Sequence, residues 1–599
     1  MKTFFENRTE GFIALFLFLV LWTYLWLRAI YVPLVHDELV TLHAYMLNGK
    51  WLPFQGFLDA NNHILNSAFG AFFIQLFGYK TYLIPRLPNL LCFPIYFGST
   101  FLILKKLELK NIALFGALTL FVFPPYLLEF FALARGYGMA MAFFILALLA
   151  FLKLSRNIES KSIWLLAISS SLSVLSNLTL LFANTGLLLL FLLLIIDLKK
   201  IRKSYIIPLF IPVLVFGFIA WYGTQLQASG KLYYGSNDGF FALTVNSLMK
   251  ELFFLEGSSI QWILKIGGSF LIVLAISKLF KSPGLKNLTT QPYLIFTALF
   301  SICLMGIFSS NILLKVNFPE DRAALYLFPL FGLMIVALIT SLKTTIYKPI
   351  LAWFILIFTP LLVFNINLSH SIFWHHDHIH PKFIQEVNDF TNQKGYPPTM
   401  AGKVIHQSVW GQAAKENGIV FNSLQRYKNN HIDTVAEMQL ALLDRYPKLN
   451  NFYTEVFFDE ISGLSLLKRK KMLQRKLIAS KKIEPQKSNE EFLMLWINLP
   501  DSLAQQHILL SISGGVSRSH FPSEVILIAS DENSQGQKVY YEVYGFDIML
   551  KPHQTQLNIS MYIPDMETPS KAGFYIWNKE KVEMEISELN LNLYKLTNN

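Results

Sequence analysis

The chain contains repeated runs of about twenty apolar residues, and these runs limit what it can fold into. The hydrocarbon core of a bilayer is about 30 Å thick, which an α-helix crosses with roughly 20 residues. Within that core each backbone polar group needs a hydrogen-bond partner, and a helix supplies it internally. Hydrophobic residues make up 53% of the sequence, too much for an ordinary soluble protein. We therefore predict a polytopic α-helical membrane protein.

The apolar runs define eleven predicted spans. They lie near positions 11–31, 84–104, 111–131, 135–153, 161–178, 180–197, 205–224, 261–280, 291–313, 322–341 and 349–367. The first run is longer than the apolar part of a signal peptide, and no small-residue cleavage site follows it, so we expect a retained span. Both cysteines, Cys92 and Cys303, fall inside predicted spans, so no disulfide framework is implied.

Lysine and arginine indicate the orientation, because they are enriched in cytoplasmic loops. With the N-terminus inside, every short inner connection is basic, and the outer connections are less so. An odd number of spans then places everything after about residue 368 outside. We predict a multi-pass protein of a bacterial inner membrane, with a cytoplasmic N-terminus and periplasmic C-terminal domains. The net charge of +12 suits contact with membrane lipids, and no basic-aromatic motif points to nucleic acid.

The pattern changes after the last span, and the sequence divides into three predicted regions. Residues 1–370 form the membrane domain, with a first outer loop at 32–83. Residues 371–480 mix helical and strand patterns, and residues 481–599 alternate apolar and polar side chains in short runs. Because such alternation is typical of strands, we predict an outer α/β region followed by an antiparallel β-sandwich.

Shorter stretches carry patterns of their own. In the first outer loop, residues 38–50 and 65–77 have apolar side chains at helical spacing but are too short or too polar to span, so we expect interfacial helices. Residues 434–446 also have helical spacing, whereas 451–458 and 464–467 are predicted strands. The basic run KRKKMLQRK is predicted to be a connector, either solvated or in contact with anionic headgroups.

Acidic residues and a histidine gather in the first outer loop. Asp37 and Glu38 directly follow the first span, and Asp59 and His63 come later in the same loop. Acids at a membrane surface are costly to desolvate, so they tend to be functional or paired. Asp37 could instead cap the helix that begins at Glu38. Capping does not explain the other acids or the histidine.

Two arginines are predicted to lie on the same outer face. Arg135 follows Glu129 at the turn between the third and fourth spans, and Arg322 follows Asp321 at the start of the tenth. A guanidinium group suits phosphate, because its planar fork donates two hydrogen bonds and stays charged. Each arginine could instead extend to the interface or pair with a neighbouring acid. Together with a first-loop acid, the arginines predict a site for a lipid-linked phosphate beside a general base.

The order of these segments resembles the GT-C superfamily of polytopic glycosyltransferases, especially the bacterial aminoarabinose-transferase and protein O-mannosyltransferase branch. The matching parts are VHDEL, NNHILNSAFGAFFIQLFG, RLPNLLCFPIYFGS, ARGYGMAMAF and DRAALYLFPLF, within about residues 10–370. The resemblance implies an enzyme that transfers a sugar from a polyprenyl phosphate to a glycan, lipid or protein acceptor on the outer face, with inversion.

The resemblance also implies roles for individual side chains. The expected general base is the first acid of the pair, and the second acid orients the acceptor or the base. The two arginines are expected to bind the donor phosphate, and the other polar residues to contact substrate. The candidate residues are Asp37 and Glu38 for catalysis, Arg135 and Arg322 for the phosphate, and Asp59, His63 and Glu129 for substrate.

A histidine-rich stretch, SHSIFWHHDHIHPKF, follows the last span. Clusters of histidine side chains often bind metal ions, but the spacing here matches no closed zinc site. Histidine is also common at a membrane interface. We expect no cofactor beyond the lipid-linked sugar donor, with a divalent metal as the weaker alternative. The metal candidates are His375, His376, Asp377 and His378.

Two other functions compete with an enzyme. A transporter or flippase for lipid-linked glycan would show repeat symmetry and charged or broken segments near mid-membrane, but the notable charges here lie near the outer ends of spans. A non-catalytic envelope scaffold that binds glycan would explain the β-sandwich but not the first-loop acids. We favour the glycosyltransferase, and we expect the β-sandwich to recognise the acceptor.

Overall fold

The computed structural model describes residues 8–197, 203–281, 285–341, 347–426, 433–519, 523–550 and 554–597. The chain forms two compact units. The membrane unit comprises Met1–Pro33 and Val40–Phe373, and the C-terminal unit comprises Leu34–Leu39 and Trp374–Asn599. The change from one unit to the other falls inside the short helix His36–Thr41.

Nine helices among the described residues are long and apolar enough to cross a membrane. All nine coincide with predicted spans, which confirms the prediction of a polytopic α-helical membrane protein. They are Arg8–Tyr31, Leu83–Lys106, Tyr137–Leu154, Leu178–Asp197, Ser204–Ala228, Ser259–Lys281, Pro292–Leu314, Asp321–Ser341 and Tyr347–Phe364.

The other two predicted spans are shorter helices. Asn111–Val122 has 12 residues, and Ser160–Ser176 has 17. The first ends one residue before Pro124 and Pro125, with Phe123 between them and the helix. Proline lacks the N–H group that would continue the ladder of helical hydrogen bonds, so the helix stops there instead of reaching residue 131.

The membrane unit also contains helices that do not span by themselves. In the first outer loop, His36–Thr41 continues into a π-helical turn, Leu42–Met46, and the predicted second helix is Ile64–Phe77. Gly78 ends that helix with a φ of 73°, which glycine adopts without strain. The remaining short α-helices of this unit are Pro125–Glu129, Asn246–Phe253 and Leu285–Thr290. Two of the spans each contain two α-helices: Leu83–Leu90 with Phe93–Lys106, and Lys203–Ile206 with Phe210–Ala228.

The C-terminal unit contains three helices and fourteen strands among its described residues. The helices are Pro381–Lys394, Val404–Glu416 and Phe546–Met549. The strands are β1 Met400–Gly402, β2 Leu424–Arg426, β3 Met438–Ala441, β4 Tyr453–Phe458, β5 Ser465–Arg469, β6 Gln474–Ile483, β7 Gln486–Ser488, β8 Phe492–Ile497, β9 His507–Arg518, β10 Val525–Glu532, β11 Lys538–Gly545, β12 Gln556–Ile563, β13 Gly573–Asn578 and β14 Met584–Thr597.

These strands form three sheets. The first is mixed, in the order β2-β1-β3-β5-β4, and β1 runs parallel to both of its neighbours. The other two are antiparallel, in the orders β11-β10-β13-β8 and β12-β9-β14-β6, and β7 also pairs with β14. One hydrophobic cluster contains Leu527 and Phe574 of the former together with Leu510 and Leu591 of the latter. The predicted β-sandwich is therefore confirmed.

Two predictions for the C-terminal region are wrong. Residues 434–446 contain β3 instead of a helix, and all four residues of β3 are buried. A strand with both faces buried lacks the alternation that identifies most strands. The predicted boundary between residues 480 and 481 is also wrong, because strand β6 crosses it. The basic run at 468–476 does connect two regions: it joins β5 of the first sheet to β6 of the third, although its ends belong to those strands.

Helix Asn111–Val122 approaches Tyr347–Phe364 closely at Gly116, where an added Cβ would lie 2.0 Å from the carbonyl oxygen of Leu351. We expect Gly116→Ala to force these helices apart and to destabilise the protein by about 1–3 kcal/mol. Thermal unfolding in detergent would show a lower Tm. The matched control is Gly98→Ala in helix Phe93–Lys106, where a Cβ meets nothing within 4 Å. Equal effects of the two substitutions would contradict the close approach.

Candidate active site

A buried ion pair joins the end of the first helix to the turn after the third predicted span. Arg28 Nη2 donates to Glu129 Oε1 over 2.6 Å, and both side chains are buried. Glu129 also accepts the backbone N–H groups of Ile372 and Phe373, at 2.8 and 3.1 Å. Both carboxylate oxygens of Glu129, a predicted substrate-binding residue, are therefore bonded within the membrane unit.

A second buried arginine fixes the chain as it leaves the first helix. Arg86 Nη1 donates to the carbonyl oxygen of Val32 at 2.6 Å, and Nη2 donates to that of Pro33 at 3.0 Å. The last carbonyl groups of a helix have no partner within the helix and need another donor. Arg86 Nη1 also donates to the carbonyl oxygen of Ala29 in the last turn, at 3.3 Å, so one side chain contacts both the helix end and the residues that follow it.

Two buried asparagines attach the first outer loop to the turn that contains Arg135. Asn66 Nδ2 donates to the carbonyl oxygen of Ala134 at 3.1 Å, and Asn89 Nδ2 donates to Asn66 Oδ1 at 2.6 Å. Asn89 Oδ1 in turn accepts the backbone N–H of Met139 at 3.0 Å. This chain of amide groups fixes both sides of the turn, because each end bonds to backbone.

Arg135 is buried, and the first outer loop holds its guanidinium group. Nη1 donates to Thr41 Oγ1 at 2.9 Å and to the carbonyl oxygen of Asn61 at 3.2 Å, and it also contacts Asn61 Oδ1. The backbone N–H of Asn61 donates to Asp59 Oδ1 at 2.9 Å. Asn61 therefore brings together two predicted site residues, Arg135 and Asp59.

Asp59 is half-buried and has structural contacts on both sides. Its Oδ1 closes a turn over two residues, an arrangement that aspartate favours in loops. Its Oδ2 lies 3.8 Å from Lys231 Nζ, and its carbonyl oxygen accepts the Tyr222 hydroxyl at 2.7 Å. These contacts tie the first outer loop to helix Phe210–Ala228 and to the residues that follow it.

His63 lies in the same buried region. Its ring meets the ring of Tyr137 edge-on, with centroids 4.8 Å apart. Burial lowers the pKa of His63 well below its usual value, and the charges of Arg135 and Arg322 lower it further. A hydrogen bond to the carbonyl of Ser176 acts in the opposite direction. His63 is therefore neutral at neutral pH, and both predicted phosphate ligands act on this one imidazole.

Arg322 is half-buried and stacks on aromatic rings. Its guanidinium carbon lies 4.3 Å from the ring centroid of Tyr234 and 5.5 Å from that of Phe373. The Tyr234 hydroxyl donates to Asp321 Oδ2 at 2.9 Å, and the backbone N–H of Asp321 donates to Ser247 Oγ at 2.9 Å. Cation–π contacts of this kind fix a guanidinium group without consuming its N–H donors.

The sequence analysis missed an acid in this region, Glu251, on helix Asn246–Phe253. Burial, and then the charge of Asp321, raise the pKa of Glu251 to about 7. It also missed Thr41 as a partner of Arg135, and it quoted Asn61 only as the first residue of the segment NNHILNSAFGAFFIQLFG. No local pattern marks these residues, because their partners are distant in sequence.

The first two acids of the outer loop belong to the C-terminal unit. Glu38 is fully buried, and its Oε2 accepts the backbone N–H of Val35 at 3.1 Å. That contact is one half of a capping box at the start of helix His36–Thr41. Glu38, not Asp37, therefore makes this capping bond, and the helix begins two residues earlier than predicted. Asp37 is half-buried in the first turn.

The histidine-rich stretch bonds to protein groups. The backbone N–H of His36 donates to Asp377 Oδ2 at 2.7 Å, and His378 Nδ1 lies 2.8 Å from Asp459 Oδ2. The rings of His375 and His376 meet edge-on, with centroids 5.8 Å apart. Among the residues that the structure describes, no group of three His, Cys, Asp or Glu side chains could hold a metal ion. The four metal candidates therefore do not converge.

No family model matches the sequence, and no curated protein matches it. Similar solved structures include the arabinosyltransferase EmbB from Mycobacterium smegmatis, at 12% identity and a TM-score of 0.32. The match covers 97% of this chain but only 64% of EmbB, so this chain spans less than two thirds of that protein.

ArnT from Cupriavidus metallidurans is also similar, at 10% identity and 77% coverage of this chain and 98% of ArnT. Its TM-score is 0.36 for the structure bound to undecaprenyl phosphate and 0.38 for the apo state. Both likenesses are distant, since every TM-score is below 0.5.

We expect Glu129→Gln to destabilise the protein strongly. The substitution leaves Arg28 charged and buried without its counter-ion, which costs about 3–5 kcal/mol. The measurement is the Tm in detergent. The control, Glu524→Gln, removes the exposed partner of Lys579, 3.2 Å away, and should change the Tm little. A Tm for Glu129→Gln within error of the wild type would refute the structural role of the pair.

The neutral state of His63 predicts a dependence of stability on pH. Below about pH 6.5 the unfolded chain takes up a proton at His63 that the folded protein does not, so falling pH favours unfolding. The stability that His63 contributes is therefore complete above pH 6.5 and declines below it. The Tm difference between wild type and His63→Gln should narrow from pH 7.5 to pH 5.5. The control is Tyr137→Phe, which removes no base, so its Tm difference from wild type should stay constant over the same pH range. If the Tm differences of both variants change with pH in the same way, His63 is not the group responsible.

Proposed function

We propose that this chain is a membrane glycosyltransferase. It transfers a sugar from a polyprenyl-phosphate donor to a glycan, lipid or protein acceptor on the outer face of a bacterial inner membrane, with inversion. The observation that supports this proposal most is that two arginines of the membrane unit are held by neutral groups, Arg135 by Thr41 and Asn61 and Arg322 by the ring of Tyr234. Guanidinium groups that stay charged bind anions, and the phosphate of a lipid-linked sugar is such an anion.

The proposed phosphate ligands are held in place by the protein. Arg135 is bonded through Nη1 to Thr41 and Asn61, and Arg322 is stacked on Tyr234. Charge develops on the bridging oxygen as the bond between sugar and phosphate breaks. Donors that are oriented beforehand stabilise this charge without reorganising during the reaction. His63, which is neutral, adds no charge of its own and is proposed to contact the donor.

The proposed general base is Asp37, as the family resemblance implies. Its carboxylate removes the proton of the acceptor hydroxyl while the hydroxyl oxygen attacks the anomeric carbon. The bond to the phosphate oxygen breaks on the opposite side, so polyprenyl phosphate leaves and the configuration inverts. In this proposal Glu38, Asp59 and Glu129 have structural roles: a helix cap, a loop turn and a buried ion pair.

The test is donor consumption by the purified protein in lipid. A panel of polyprenyl-phosphate sugars is supplied with envelope extract, and released polyprenyl phosphate is measured. We expect Asp37→Asn to lower kcat by about 10²–10⁴-fold while donor binding is retained. Arg135→Gln and Arg322→Gln should each lower kcat/KM by about 10²–10³-fold, because each removes a charge that stabilises the leaving phosphate.

The matched control is Arg156→Gln. Arg156 is exposed and donates to the carbonyl oxygen of Lys106 at 3.0 Å, away from the proposed site, so its replacement should leave the rate unchanged. If no donor across the panel is consumed, the glycosyltransferase proposal fails. If donor is consumed at the wild-type rate by Arg135→Gln and Arg322→Gln, the two arginines are not the phosphate ligands.

A further inference from the structure

Residues 34–39 of the first outer loop make their contacts within the C-terminal unit. Two side chains of that unit bind the same residue, His36. Asp377 Oδ2 accepts the backbone N–H of His36 at 2.7 Å, and Ser408 Oγ lies 2.8 Å from His36 Nδ1. His36 is thus held by both its backbone and its side chain, and it directly precedes Asp37.

Both groups that hold His36 lie on well-fixed parts of the C-terminal unit. Asp377 is only 6% exposed and ends the short 3₁₀ turn His375–Asp377. Ser408 lies on helix Val404–Glu416, where the neighbouring Trp410 is fully buried and its Nε1 donates to the carbonyl oxygen of Asn422 at 3.0 Å. A hydrogen bond to a charged carboxylate is stronger than one between neutral groups, so the contact with Asp377 is a firm one.

The surroundings of His36 include two further histidines. Burial, and then the charge of His376, lower the pKa of His406 to about 3. His406 is two residues from Ser408 on the same helix, so this part of the helix adds no charge at neutral pH. On the other side, the capping contact between Glu38 and the N–H of Val35 closes the same helical turn. The turn that contains Asp37 is therefore restrained at residues 35, 36 and 38.

We propose that Asp377 and Ser408 are positioning residues that hold His36 and thereby orient Asp37 for the transfer reaction. This inference rests on the proposed function, in which Asp37 is the base. Displacement of a reacting group by about 1 Å can cost on the order of a hundredfold in rate, so a base on a short helix needs such support.

The experiment compares five full-length proteins in lipid nanodiscs: wild type, Ser408→Ala, Ser408→Thr, Asp377→Asn and Ser480→Ala. Ser480 is the matched control, because it loses a hydrogen bond of the same length, 2.8 Å to Asn592 Oδ1, elsewhere in the C-terminal unit. Two quantities are measured: backbone hydrogen exchange at residues 35–41, and kcat with the donor KM for release of polyprenyl phosphate.

We expect Ser408→Ala to speed exchange at residues 35–41 by several-fold, because the turn loses one of its restraints. Its kcat should fall by about 10–100-fold with an unchanged donor KM, since the donor site is not altered. Ser408→Thr keeps the hydroxyl group and should restore both values. Ser480→Ala should match wild type. A second variant, Asp377→Asn, keeps an acceptor oxygen but loses the charge, and it should give a smaller change in the same direction.

The two readouts separate this inference from the proposed function. Unchanged exchange in both Ser408→Ala and Asp377→Asn would overturn the anchoring of His36, whatever the activity. Faster exchange with an unchanged kcat would overturn the positioning role. Absence of donor turnover in wild type would defeat the proposed function and the positioning role with it, while the exchange data would still show whether His36 is anchored. If Ser408→Ala is poorly folded, Asp377→Asn and Ser408→Thr decide the question.

Discussion

The buried ion pair between Arg28 and Glu129 is the interaction on which the rest of the membrane unit depends. Two charges can stay buried only if they are paired and their remaining hydrogen-bonding capacity is filled. Here Arg28 also donates to the carbonyl oxygens of Asn367 and His370, at 2.8 and 3.2 Å. The first helix, the turn after the third predicted span and the end of the membrane unit are thereby tied together at one point, which fixes the framework around Arg135.

The proposed phosphate site is built outward from that framework by neutral polar groups. Asn66 and Asn89 link the first outer loop to backbone on both sides of Arg135, and Thr41 and Asn61 then hold its guanidinium group. In a low-dielectric region a fully satisfied polar network is rigid, whereas a missing partner is costly. Such a network can therefore hold a cation ready for an anion. A donor phosphate would complete a site that is already arranged.

Most of the membrane fold could be predicted from the sequence, because a bilayer imposes a length of about 20 apolar residues on each crossing. The candidate site was predictable only in part. His63 and Arg135 stood out by residue type, but the partner of Arg28 is 101 positions away in sequence. Local patterns carry no information about such pairing. The same limit explains why a helix was predicted where β3 lies. Both faces of β3 are buried, so its sequence lacks the alternation of apolar and polar residues that identifies a strand.

The acids that the sequence analysis singled out show why residue type alone does not assign a role. Glu38, Asp59 and Glu129 have the same carboxylate group, yet the first caps a helix, the second closes a turn and the third neutralises a buried arginine. Each role follows from its partner and not from its charge. Asp37 is held through its neighbour, because His36 bonds to Asp377 and Ser408. Arg135 is held directly, through bonds to Thr41 and Asn61. The two supports meet on one element, because Thr41, which accepts from Arg135, ends the same short helix that carries Asp37.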